Sequence, residues 1–285
     1  MKKVLILGAK GMLGSELMKK FQKNGDYEVA GWDVEDLDIG NKKEVFEKIK
    51  NQEPQIIINT AAYNSVDKAE ESEEEFHKAL NVNAEGPKNL AEIAREIDAV
   101  FVQYVSDYIF DGEKGEYSEE DLPNPISNYG KSKAKGEKMA QEVGGKYYLI
   151  RTSKIFGKSA NHEGAKKSFF EIMLNLAKEK EELKLIDSEK SCFTYAPDLA
   201  QATKDLIENG YNFGVYHIVN EGAATWYEGV KELFEIAGVE NVKVIPVTPG
   251  EFPRSAKRPA SSVLLNTKFP KLRHYSEAIQ DWLRE

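Results

Sequence analysis

The 285-residue chain has a single cysteine, Cys192, so no internal disulfide can form and a reducing compartment is expected. No apolar run approaches the roughly 20 residues needed to span a bilayer. The opening, MKKVLILGAKG, offers four apolar residues before Gly8, whereas a secretory signal needs about 7–15. That stretch reads as a strand, and a cytoplasmic protein is expected. Positive charge is in short supply: 39 Lys and Arg stand against 48 Asp and Glu, a formal net charge of −9. Without a strong basic cluster, nucleic acid and anionic membrane surfaces are poor partners. A small anion can still bind where local amides and arginines offset the global field. His77, His162, His217 and His274 are scattered without metal-ligand spacing, and no metal site is read. Against these absences, hydrophobic residues reach 41% and charged residues 31%. That balance permits a buried core and excludes global disorder.

Short β-branched runs alternate with amphipathic helical stretches. KVLILG, YEVAGWD, PQIIINTA, AVFVQYVS and KYYLIRTS read as five strands. Between them, MLGSELMKKFQKNG reads as a helix closed by Gly25, KKEVFEKIKNQ as a second helix and YGKSKAKGEKMAQEV as another. EEEFHKALNVNAEGPKNLAEIAREI reads as one long helix with a kink near Gly86–Pro87. The strands lack clean polar alternation, as expected when both faces are covered. The pattern predicts an α/β fold with a doubly wound parallel sheet, Rossmann-type. After Ser153 the rhythm breaks, with helices in KSFFEIMLNLAKEK and WYEGVKELFEIAG and short strands near LKLI, VYHIV and VKVIPV. This predicts a dinucleotide-binding domain over 1–153, with a return segment near 187–220. A smaller α/β substrate-binding lobe is predicted over 154–186 and 221–285.

Gly8, Gly11 and Gly14 form G-x-x-G-x-x-G at the first strand–helix junction. Glycine there lets the backbone turn tightly and approach a pyrophosphate lying at the helix N-terminus. A plain tight turn uses the same glycines, so it is the placement that carries the reading. Asp33 follows the second strand, where a carboxylate accepts hydrogen bonds from the ribose of NAD and repels a 2′-phosphate. Lys10, inside the glycine loop, would attract that phosphate. The direct contact of Asp33 favours NADH over NADPH, with dual use left open.

Tyr129 and Lys133 stand four apart. With 13 tyrosines and 33 lysines, chance alone supplies about one or two such pairs. The chain holds two, Tyr129/Lys133 and Tyr227/Lys231, so spacing proves nothing. Tyr129 begins the helix between the fourth and fifth strands, facing the crevice at the carboxyl ends of the strands, where open α/β sheets bind ligands. A neighbouring ammonium is expected to lower the phenol's pKa. A phenol so tuned can pass its proton to a carbonyl oxygen as hydride reaches the carbon. Ser106, at the end of the fourth strand, would hold that carbonyl; a turn or cap residue is its simpler reading.

With the glycine loop, VSDYIFDG and YGKSK in hand, the chain resembles the extended short-chain dehydrogenase/reductases, and within them the dTDP-4-dehydrorhamnose reductase family. NTAAYNSVDKAE, LNVNAEGPKNLA, SDYIFDG, NYGKSK, RTSKIFG and RPASSVLLNTK stand in the expected order. The resemblance implies that Ser106, Tyr129 and Lys133 act as catalytic hydroxyl, acid and partner. It implies that Gly8, Gly11, Met12, Leu13 and Gly14 wrap the pyrophosphate, and that Asp33, Asp38 and Ile39 bound the adenosine. Ala61, Ala62 and Tyr63 would line the cofactor, with Tyr129 and Lys133 reaching it too, and Asn83 would support the site. Ser106, Asp107, Lys154 and Arg258 would contact a nucleotide-sugar substrate; for Arg258 a surface cation is the plainer reading.

Three positions depart from the family's pattern. Lys154 stands where tryptophan is usual, Ser191 where glycine is, and Phe193 where proline is, which implies a reshaped substrate wall. The implied activity is NAD(P)H-dependent reduction of a 4-keto group on a nucleotide-linked deoxysugar, dTDP-4-dehydro-L-rhamnose to dTDP-L-rhamnose, by a monomer or homodimer. Two alternatives stay open. One is a nucleotide-sugar epimerase or dehydratase that recycles bound NAD; Tyr108 after Asp107, where dehydratases carry glutamate, disfavours the dehydratase. The other is a cofactor-binding regulatory subunit resembling the methionine adenosyltransferase beta subunit.

Overall fold

The computed structural model describes residues 1–159 and 166–285, so His162 lies outside the described residues. Six strands form one sheet in the order Gly214–His217, Tyr147–Thr152, Val100–Ser106, Ile56–Asn59, Lys2–Leu7, Tyr27–Trp32. Every neighbouring pair in it is parallel. Strands covered on both faces need not alternate, and Val4 through Leu7 and Ile56 through Asn59 are accordingly buried without a break. The chain moves outward from the first strand to the second, then crosses back to the third on the first strand's other side. That reversal opens a crevice at the carboxyl ends of the first and third strands.

Two helical layers cover the sheet. On one face the Met12–Gln22 helix buries Leu13, Leu17 and Phe21, spaced by four, and packs beside the Ala196–Glu208 helix. Gly14 makes the close approach possible, because a Cβ there would lie 2.1 Å from the Gly8 carbonyl oxygen. The first helix ends at Gln22 and tightens into a 3₁₀ turn over Lys23–Gly25.

On the other face, the predicted long helix is three consecutive segments: Glu73–Leu80, a π turn over Asn81–Glu85, and Gly86–Glu96. The irregularity therefore begins one turn before Gly86–Pro87. Pro87 has no N–H to give the Asn83 carbonyl four residues back, so the regular ladder cannot run through this point. The neighbouring Asn128–Val143 helix uses the gap: a Cβ on its Gly136 would sit 1.9 Å from the Asn83 carbonyl oxygen.

The remaining chain packs around a second, aromatic-rich core that includes Phe156, Phe170, Phe193, Tyr195, Phe234 and Trp282. Its frame is a parallel pair, Glu182–Ile186 with Lys243–Val247, backed by the Trp226–Ala237 helix. That helix starts with a reciprocal cap between Thr225 and Glu228. No described helix is long and apolar enough to cross a membrane.

Candidate active site

A cleft of about 900 Å³ opens at the carboxyl ends of the sheet strands. At its floor the first helix begins at Gly11, whose N-cap position carries no side-chain cap. Its first-turn amides, with the positive end of the helix dipole, face the cleft beside Gly11, Met12, Leu13 and Gly14. Gly8 shapes the turn from below, at φ +74°, where a Cβ would meet the Ala61 nitrogen at 2.7 Å. This narrow, uncapped turn has the form that a pyrophosphate needs.

At the rim, Asp33 Oδ2 accepts from the Lys10 amide at 3.1 Å and Oδ1 from the Val34 amide at 2.9 Å. Lys10 Nζ is 3.0 Å from Glu35 Oε2. Ala61 and Ala62 line the cleft after the third strand. Tyr63 turns away: its hydroxyl donates to Glu75 Oε2 at 2.6 Å, while its backbone is gripped by the Asn83 amide at 3.0 Å in both directions. Asn83 Nδ2 also donates to Ser132 Oγ at 3.0 Å, tying this segment to the helix of Tyr129. Asp38 and Ile39 lie outside the cleft. Asp38 is exposed and accepts from the Gly40 amide, and Ile39 is buried against Gly86.

Ser106, Asp107, Tyr129 and Lys133 converge on the opposite wall. Ser106 ends the Val100–Ser106 strand and caps the turn that follows, accepting from the Tyr108 amide at 3.2 Å. The capping role and the cleft position therefore coexist. Tyr129 stands in the first turn of the Asn128–Val143 helix, whose start is fixed by Ser127 accepting from the Gly130 amide. The phenol is 7% exposed, lies edge-on to Tyr108, and its hydroxyl is 3.5 Å from Asn64 Oδ1. Lys133 Nζ lies 5.9 Å from the centroid of the Tyr129 ring.

The electrostatics differ from the sequence-based expectation. The Tyr129 phenol is held above its ordinary value, because burial outweighs the help from the Ser106 hydroxyl. The ammonium does not lower it; burial instead brings the Lys133 amine down to about 8. Desolvation of both groups thus dominates their mutual attraction. Asp107 is buried as well, its carboxyl raised by desolvation although Ser262 Oγ donates to it at 2.6 Å. The other Tyr/Lys pair has the same local geometry, with Lys231 Nζ 5.5 Å from the Tyr227 ring, yet it lines neither cleft.

Lys154 also faces the cleft. Its backbone is left-handed at φ +38°, which an L residue adopts only under constraint. The ammonium lies 4.2 Å from the Trp226 ring centroid and 4.8 Å from that of Phe193, and donates to the Ala224 carbonyl at 3.0 Å. Two of the three sequence departures, Lys154 and Phe193, are therefore one cation–π arrangement. Gly229 makes room for it, since a Cβ there would come within 2.4 Å of the Phe193 ring. Burial brings the Lys154 amine down to about 8. Cys192, nearby, is buried and its thiol is pushed up to about 12, the opposite of an activated nucleophile.

Arg258 does not reach this cleft. It lines a second one, of about 680 Å³, together with Tyr108, Phe169, Trp226, Phe252 and Arg254. Asp67 holds the Arg258 guanidinium with both oxygens, at 2.7 and 2.6 Å. That contact draws the Asp67 carboxyl down to about 2. Glu189 holds Arg254 in the same manner. Phe169 borders both clefts. Asn64, Phe169 and Trp226 escape sequence reasoning. Asn64 follows the third strand closely enough for its position to hint at the cleft, whereas nothing local marks the two aromatics.

The family model for the RmlD substrate binding domain matches residues 1–285. The dTDP-4-dehydrorhamnose reductase of Aggregatibacter actinomycetemcomitans is 37% identical, over 100% of this chain and 97% of that protein. A solved dTDP-4-dehydrorhamnose reductase from Clostridium acetobutylicum superposes with a TM-score of 0.91 at 38% identity, covering 99% of this chain and 98% of the other. One from Bacillus anthracis, solved in complex with NADP, gives 0.92 at 33% identity, covering 100% and 99%. The chain thus belongs to the dTDP-4-dehydrorhamnose reductase family of the extended short-chain dehydrogenase/reductases.

Proposed function

We propose that this protein reduces the 4-keto group of dTDP-4-dehydro-L-rhamnose to give dTDP-L-rhamnose. One observation carries the reading: Ser106, Tyr129 and Lys133 meet in the cleft onto which the uncapped glycine-loop helix opens. A bound NAD(P)H would supply the hydride. The chain's own groups do the rest. Gly11, Met12, Leu13 and Gly14 hold the pyrophosphate with backbone amides, Gly8 shapes the turn beneath, and Ala61 and Ala62 flank the cofactor. Lys133 donates to the nicotinamide ribose. The Ser106 hydroxyl fixes the substrate carbonyl, and Tyr129, kept protonated by burial, gives its proton to the oxygen as the carbon is reduced.

The second cleft would take the nucleotide. Arg254 and Arg258 are held at its edge by carboxylates, ready for a diphosphate, and Tyr108, Phe252 and Trp226 offer flat apolar walls for the base. Asp107 and Lys154 would then contact the sugar between the clefts.

The cofactor preference inferred is NADH. Asp33 faces the ribose edge with its carboxylate fixed, and Glu35 engages the Lys10 ammonium. The carboxylates of Asp33, Glu35 and Asp36 gather about that ammonium, which disfavours a 2′-phosphate. The Bacillus anthracis relative, by contrast, was solved with NADP. A cytoplasmic monomer or homodimer fits a nucleotide-sugar substrate and a single buried thiol.

The test is loss of NADH absorbance on adding dTDP-4-dehydro-L-rhamnose, with Tyr129→Phe as control. An inactive parent protein, or full turnover by Tyr129→Phe, defeats the reading.

A further inference from the structure

Beneath the catalytic wall lies an ion pair that the chemistry above does not use. Arg151 Nε is 2.9 Å from Glu137 Oε2 and Nη2 is 2.6 Å from Oε1, a two-point contact between side chains only 3% and 2% exposed. Glu137 sits on the Asn128–Val143 helix, four residues after Lys133 and eight after Tyr129, so all three share one stripe. Arg151 sits on the Tyr147–Thr152 strand opposite Val105, the residue before Ser106.

The guanidinium is fixed from several sides. Its Nη1 lies 3.4 Å from the carbonyls of both Glu119 and Asp121, and 3.3 Å from His217 Nε2. His217 Nδ1 is 3.1 Å from the Leu265 carbonyl, which can only accept. Nδ1 therefore carries the proton and Nε2 accepts from Arg151. Burial, with Arg151 beside it, holds His217 down to about 4, so the ring stays a neutral acceptor. Glu119 completes the frame by accepting from the His217 amide at 3.2 Å and the Thr267 hydroxyl at 2.6 Å.

We propose that Glu137 and Arg151 are positioning residues for the reduction: their pair sets the height of the Tyr129–Lys133 helix against the strand end bearing Ser106. This rests on the reading of the cleft given above. Burying two charges is costly, and apolar replacements of such pairs are commonly neutral or stabilising. What the pair supplies is a fixed distance. The helix is also tied to its neighbours by hydrogen bonds, Asn128 donating to Glu70 and to the Ala69 carbonyl, Ser132 accepting from Asn83 and the Val143 carbonyl accepting from Arg95. It packs closely through Gly130 on the Tyr108 carbonyl and Gly136 on that of Asn83. Those hydrogen bonds run to neighbouring helical segments, whereas the Glu137–Arg151 pair is a charged, two-point tie to a strand of the sheet. Another ion pair on this helix, Lys138 with Glu142, is exposed. An error of about 1 Å at reacting groups costs on the order of a hundredfold in rate.

The experiment is the double variant Glu137→Met/Arg151→Met in the full chain. Expected are a melting temperature close to that of the parent and unchanged NADH affinity. With them should come a 30- to 100-fold lower kcat at near-constant KM and a displaced pH profile of kcat, on the order set by misplacement of the acid. Glu137→Gln, which keeps the side chain's shape, should lose about tenfold in kcat, a fraction of that misplacement cost. A folded double variant with parental kcat and pH profile overturns the proposal. Should the double variant not fold, parental kcat in Glu137→Gln overturns it. If the parent itself does not turn over the keto sugar, the proposed reaction fails. The positioning claim is then read from a crystal structure of the double variant, and a Tyr129 helix unmoved against Ser106 refutes it.

Discussion

Lys133 allows stability and activity to be set against each other in one substitution. Its amine is buried and brought from an ordinary 10.5 to about 8, with burial as the cause. Its Nζ makes no hydrogen bond among the described residues and lies 5.9 Å from the centroid of the Tyr129 ring. Moving the pKa that far on folding corresponds to a penalty of about 3 kcal/mol for keeping the ammonium in the folded state. Lys133→Met retains the length of the stem and removes the charge. At pH 7 the variant should gain up to about 3 kcal/mol, a rise of roughly 5–10 °C in Tm, while losing catalysis. The pH dependence has a definite sign. Below about 8 both folded and unfolded chains hold the proton, and the penalty is complete. Between about 8 and 10.5 the folded chain has released the proton while the unfolded chain keeps it, so the parent becomes more stable as pH rises. The variant lacks this term, so its advantage should shrink through that window. Urea or thermal unfolding at pH 7 and pH 10, without cofactor, measures it. A variant less stable than the parent at pH 7, or an advantage that does not change with pH, refutes the reasoning.

Gly136→Ala would place a methyl 1.9 Å from the Asn83 carbonyl oxygen. It should destabilise by about 1–3 kcal/mol in urea unfolding and lower kcat by shifting the helix of Tyr129; a silent substitution would mean that the approach is slack. Glu35→Gln removes one carboxylate beside Lys10 and should raise the NADPH-to-NADH ratio of kcat/KM several-fold, since less negative charge then opposes a 2′-phosphate; an unchanged ratio refutes this. Lys154→Met removes the ammonium from the Trp226 and Phe193 faces. It should raise the KM for the sugar nucleotide about tenfold and leave that for NADH unchanged, as loss of a charge-assisted contact to substrate alone would do; equal changes in both would remove Lys154 from the sugar site.

The sheet and glycine loop were legible because their signals are local: apolar runs of strand length, and glycines where strand becomes helix. Tyr129 was legible by its place rather than by its spacing, as the matching geometry of Tyr227 and Lys231 makes plain. The π turn was half legible, since Pro87 marked the break while its position was set by the missing bond to Asn83. Contacts between remote segments left no sequence signal. Asp67 and Arg258 are 191 positions apart, and Lys154, Phe193 and Trp226 come from three segments. The lowered lysine and raised tyrosine were hidden for a related reason: a neighbour at four residues is visible in sequence, but the depth at which both lie is not.

Phe169 stands at the border of two basins, and its ring meets the indole of Trp226 edge to face, with centroids 4.4 Å apart. A sugar nucleotide seated in both basins, as proposed, would lie across this aromatic sill, and its length would become a criterion of fit. On the proposed placement, the arginines would hold the nucleotide end and the phenol would meet the sugar end. Discrimination would then lie in the span between the two basins, and a change at the sill would alter which chain lengths qualify without touching either end.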